Sequence, residues 1–146
     1  MNKKNLELVI ELRRIKEKKI AEEANGILNR LNVKKEEIKL LLNKKEWLLE
    51  ELRKIQINSL DIPKITCICQ NISRINQEIS ELQNQMAQMH SEYKKKISEL
   101  LEERKKRKII EKLRERILSE QRYNLEKQEQ RFLDEISNNR FFYKNM

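Results

Sequence analysis

Cys67 and Cys69 are the side chains of this sequence best able to bind a metal or form a disulfide, and their spacing argues against both. Two residues apart on a helix, they point about 200° away from each other, so they cannot readily grip one metal or close a disulfide. They read as small helix residues in a reducing compartment. His90 is the single histidine, which leaves no acid-base pair and no metal-ligand cluster. Beside the apolar Met89, it reads as a bystander. With one glycine in 146 residues there is no phosphate-cradling loop. These residues point to a non-enzymatic protein without cofactor or metal.

Charge offers the next chemistry. The net charge is +9, distributed by region: residues 3–19 carry +4, 20–45 carry +2, 46–93 carry −3, 94–116 carry +6 and 117–146 are neutral. The most basic stretch holds the run Arg104-Lys105-Lys106-Arg107-Lys108, which has the composition of a nucleic-acid patch. Glu102 and Glu103, however, stand at i,i+4 from Lys106 and Arg107, so an internally paired, solvated helix face is the favoured reading. Trp47, next to Leu48, is either an exposed anchor for a partner or a flank that shields its neighbour.

The elements that carry these residues follow from apolar spacing. Alternating steps of three and four residues pass through Leu6, Ile10, Ile20, Ala24, Ile27, Leu31, Ile38, Leu41, Leu48, Leu52 and Ile55. A second series runs Ile65, Ile68, Ile72, Ile75, Ile79, Leu82, Met86, Met89, Tyr93 and Leu100. A 3-4 repeat sustained this long is a coiled-coil seam rather than a globular core pattern. The only proline, Pro63, stands between the two series. The spacing predicts an all-α protein, one two-helix antiparallel coiled-coil hairpin over residues 1–146. Helix 1 is expected over about 4–57, a turn over about 58–62, and a longer helix 2 over about 63–138. Asp61 or Ser59 caps the second helix, with Pro63 tolerated in its first turn. Asn25-Gly26 often marks a turn. The stripe runs through it in phase, so the helix continues at a cost of about 1 kcal/mol.

If the turn centres on Leu60, antiparallel partners have numbers adding to about 120, and the two series obey: Leu48 with Ile72, Leu41 with Ile79, Ile20 with Leu100. The seam then breaks in both arms at the same layers, where Glu17 faces Glu103 and Arg13 faces Arg107. Two arrangements satisfy these charges. They cross-pair, Glu17 with Arg107 and Arg13 with Glu103, or the helices splay and water solvates all four.

The arms are unequal. Leu6 pairs with Arg114, so roughly 35 Å of helix beyond it has no partner within the chain. That stretch still carries Ile117, Leu118, Leu125, Phe132, Leu133, Ile136, Phe141, Phe142 and Tyr143. A lone helix with an apolar face is marginal in water, which implies cover from a second copy or another protein. Composition agrees with an extended rod: 39% charged, 5% aromatic and one Gly. The longest uncharged run near the turn, residues 65–73, is too short to span a bilayer. No apolar signal region follows the basic start. A soluble, cytosolic protein is expected.

Sequence resemblance extends this reading. Residues 107–116 (Arg-Lys-Ile-Ile-Glu-Lys-Leu-Arg-Glu-Arg), then Glu129-Gln130-Arg131-Phe132-Leu133-Asp134-Glu135-Ile136 and Arg140-Phe141, resemble the C-terminal signature of the FliJ family of flagellar export proteins. Residues 6–13 (Leu-Glu-Leu-Val-Ile-Glu-Leu-Arg) are similar to that family's opening helix. The Lys- and Asn-rich composition and Cys-x-Cys are not family marks. The resemblance implies a two-helix coiled coil, like the central stalk of rotary ATPases, whose open end enters the hexameric export ATPase ring. It implies partners in that ATPase, the membrane export gate and export chaperones. It also implies a cytoplasmic location at the inner face of the inner membrane, and a role in flagellum biogenesis and chemotaxis. At the ATPase end it points to Arg107, Arg114, Glu129, Gln130, Leu133, Asp134 and Glu135; it sets the gate contact toward the hairpin part of helix 2, where no motif singles out residues and the seam positions Ile72 and Ile75 are the candidates. The rival readings are a structural coiled-coil tether or self-dimer, an injectisome stalk homologue, and a basic nucleic-acid-binding rod.

Overall fold

A computed structural model describes residues 3–58 and 61–144. The turn centre Leu60, the alternative cap Ser59 and the side chain of Phe142 lie outside the described residues. Among the described residues there are two helices packed against each other and no strand: α1 (Lys3–Asn58) and α2 (Ile62–Lys144). The protein is an all-α helical hairpin. Asp61 starts α2: its carbonyl accepts from the Ile65 N–H at 3.0 Å and its Oδ1 accepts from the Lys64 N–H at 3.4 Å. The cap thus falls at the residue before Ile62-Pro63, where a missing proline N–H costs nothing. α2 runs six residues past Asn138, because neither glycine nor proline follows to stop it.

The chain divides into two compact units, Lys19–Leu100 and Met1–Lys18 with Leu101–Met146. In the first, Leu48, Ile75 and Ile79 form a buried cluster, with Ile38, Leu41, Ile68 and Ile72 packed against it. Every apolar member of the 3-4 series in this unit is buried or half-buried, and Lys34, Lys45 and Lys96, which fall on the same steps, are half-buried. Lys96 Nζ lies 2.7 Å from Glu23 Oε2, the neighbour of Ala24, which the register sets opposite Lys96. Gly26 is helical with no positive φ, and a Cβ there would meet open space.

The second unit holds both chain termini. Leu6 and Ile10 are its most completely buried side chains, at 1% and 2% exposure. The start of α1 is therefore packed tightly rather than frayed. From Ser119 to Glu135 every residue of α2 is exposed, so the second helix outruns its partner as its length dictates. Contacts at i,i+4 support this stretch locally: Gln130 donates to Asp134 at 3.2 Å, and the Lys127 ammonium sits 5.9 Å from the Tyr123 ring centre.

Candidate functional site

Two features of the terminal unit stand out: an ionic cluster within the seam, and the exposed helix beyond it. In the cluster, Arg13 Nη1 donates to Glu103 Oε2 at 3.0 Å and Arg107 Nε lies 2.6 Å from Glu17 Oε2. These are the crossed pairs, so the layers do not splay. Among the described residues Glu17 and Glu103 are the buried charged ones, at 7% and 6% exposure. They are covered mainly by the charged chains around them. Lys16 approaches Glu103 at 3.2 Å and Lys106 at 3.7 Å, while Arg104 comes within 3.8 Å of Glu17.

Glu111 completes the network, a residue that counting seam positions alone overlooks. Arg107 Nη1 donates to it at 2.8 Å and Arg14 Nη2 at 3.2 Å. Glu111 sits one residue past the seam position Ile110, and the readable signal was its i,i+4 spacing from Arg107. The Nε atoms of Arg13 and Arg107 are buried without a hydrogen-bond partner. For Arg107 the short approach to Glu17 is consequently an ion pair whose N–H is not aimed at the oxygen. Such imperfect satisfaction limits the net stabilisation that the cluster can give.

The electrostatics follow the contacts. Lys16 is the main cause holding the Glu103 carboxyl below the usual range, with Lys106 and Arg13 adding to it. Arg107, then Arg14, does the same for Glu111, and contact with Glu17 and Glu111 raises Arg107. In the other unit, Glu23 is lowered by Lys96, and Lys96 is raised by Glu23. Of the run 104–108, Arg104, Lys106 and Arg107 face carboxylates within the chain. The run is thus mostly paired within the chain, but not by the expected i,i+4 pairs: Glu103 meets Lys106 rather than Arg107, Arg107 turns to Glu17 and Glu111, and Glu102 forms no ion pair among the described residues.

The residues anticipated for partner contact divide into three groups. Glu129, Gln130, Leu133, Asp134 and Glu135 all lie exposed on the unpartnered stretch of α2, Leu133 at 58%. Arg107 is committed to Glu17 and Glu111, and Arg114 is half-buried. Ile72 and Ile75 belong to the hydrophobic cluster, where Ile75 is buried and Ile72 keeps a partly exposed edge. Trp47 is 61% exposed, so it does not shield the seam. Cys67 and Cys69 are free and exposed. No described helix is long and apolar enough to cross a membrane.

A search of curated proteins returned no match, and a search of solved structures returned none either. A family model described as "Flagellar FliJ protein" matches residues 2–146. With nearly the whole chain matched, this helical hairpin belongs to the FliJ family, a structural family of flagellar export rather than one of enzymes.

Proposed function

We propose that this chain is the central stalk of the flagellar export ATPase. In this reading the unpaired part of α2 enters the hexameric ring, and the basic flanks of the terminal unit meet an acidic inner rim. The observation that carries the proposal is the exposed stretch 119–135, which leaves Tyr123, Leu125, Phe132 and Leu133 each about 60% open to water with no described helix of this chain against them. A helix with that much apolar surface gains most from a surrounding partner. Glu129, Gln130, Leu133, Asp134 and Glu135 are the contact residues on it. Arg107 and Arg114 act one step back, Arg107 by locking the ionic cluster from which the free helix emerges.

The same reading has the chain link the ATPase to the export gate and escort export chaperones, at the cytoplasmic face of the inner membrane. Ile75 then serves the seam, and a gate contact falls on the exposed edge of Ile72. The test adds the full chain to purified export ATPase while ring assembly and hydrolysis are followed. Both should rise, and L133D should remove the effect while leaving the helical spectrum intact. The absence of both ring assembly and stimulated hydrolysis with the unaltered chain would overturn the stalk role.

A further inference from the structure

Two surfaces outside the unpaired helix carry opposite chemistry. The first is an open groove in the unit Lys19–Leu100, floored by Leu40, Leu41 and Leu82 and flanked by Glu37, Glu78 and Glu81. Leu40 is 67% exposed along this groove. Glu78 and Glu81 are exposed and form no ion pair, standing one turn apart on α2. Lys44 is the one cation in the lining.

The second surface belongs to the terminal unit. Ile109 and Leu113, at 67% and 42% exposure, are neighbours at i,i+4 on the outside of α2. Lys105, Lys108 and Lys112 flank them on the same helix face, all exposed and without an ion-pair partner. This is an apolar pair with an ammonium row on one side. It matches a groove that has an apolar floor and a carboxylate row on one side.

We propose that the groove takes the face Lys105–Leu113 of a second copy of this chain. Ile109 and Leu113 seat on Leu40 and Leu82, while Lys105 and Lys112 meet Glu78 and Glu81. Charge favours this occupant over like-to-like pairing of the terminal units. Residues 1–18 and 101–146 together hold 19 basic and 12 acidic side chains, a net +7, and two such surfaces repel. The contact is heterologous, with different patches on the two copies. It stands independently of the stalk reading, and it covers a basic face that an acidic partner would have to win by competition.

The test is sedimentation of the full chain over a range of concentrations, at low and high ionic strength. The mean mass should rise above the monomer with concentration and fall back as salt screens the pairs. The variants K105E/K112E and E78K/E81K should each be monomeric with an unchanged helical spectrum. Mixed together they should associate, because the first retains the groove and the second the lysine face, and the reversed groove and reversed face are again opposite in sign. K44E, which removes the opposing cation, should associate more tightly than the unaltered chain. A monomer at every concentration would overturn the proposal. So would association that survives both charge reversals, as would two monomeric variants that fail to combine.

Discussion

Glu17 occupies a layer where a leucine would give a dry seam, and the chain answers it with Arg107 at 2.6 Å rather than with water. The series of apolar residues shows that charges stand at positions 13, 17, 103 and 107. It does not show whether they pair, because both outcomes satisfy the same spacing. Geometry decides: two helices held close by Leu6 and Ile10 on one side leave the carboxylates too covered to be solvated singly. Removing one partner then strands the other. Glu17→Leu and Arg107→Leu should each lower the melting temperature, with a coupling of about 1 kcal/mol in a double-mutant cycle. Replacing Arg13, Glu17, Glu103 and Arg107 together by leucine should instead raise it, since orphaned guanidinium nitrogens vanish along with the charges. Additive single effects in the cycle would refute the crossed cluster.

The same carboxylates give a pH dependence with a defined sign. Glu23, Glu103 and Glu111 are held below their ordinary value by Lys96, Lys16 and Arg107 respectively. Their contribution is full above the unfolded value of about 4.3 and is lost as pH falls through the lower folded values. Lys96 is raised, so its contribution is full below about 10.4 and is lost as pH rises through its folded value. Thermal melts should therefore plateau across neutral pH and decline below about pH 4 and again above about pH 10. The acid decline should shrink in the Glu103→Gln variant.

At the scale of the element, the 3-4 spacing located both helices and nearly every covered position, because a seam that buries one residue per turn writes its period into the sequence. Helix ends were less legible: α2 continues to Lys144 where Asn138 was expected to end it, since asparagine permits a stop without enforcing one. The groove beside Leu40 was illegible because it depends on which flank of each helix faces the same side, information that a single-helix period does not contain. Leu48 and Trp47 test the seam assignment with adjacent residues. Leu48→Ala should cost about 2–4 kcal/mol of stability, and Trp47→Ala should stay within about 0.5 kcal/mol, because Leu48 is 6% exposed and Trp47 61%. Equal losses would mean the phase is wrong. Gly26→Ala should stabilise by about 0.5–1 kcal/mol, as the added methyl meets nothing within 4 Å and the helix loses a flexible residue.

For the whole molecule, the question is which parts of the chain melt together. α1 and α2 contain 56 and 83 residues. Residues 119–144, about a third of α2 and a fifth of all the helical residues, have no described helix of the same chain alongside, and from Ser119 to Glu135 every side chain is exposed. A stretch of that length held by i,i+4 contacts is marginal on its own. At low concentration the helical signal should fall in two steps, a broad early loss of about a fifth followed by a cooperative transition of the paired helices. A chain ending at Leu118 should lack the early step and keep the later one at nearly the same temperature, because Leu6 and Ile10 pack ahead of the cut. If instead the full chain melts in one step whose midpoint climbs with concentration, then a second copy covers residues 119–144. The self-contact would then include the free helix as well as the Lys105–Leu113 face. The early step distinguishes the two cases, since a groove contact alone shifts only the later step with concentration and leaves residues 119–144 uncovered.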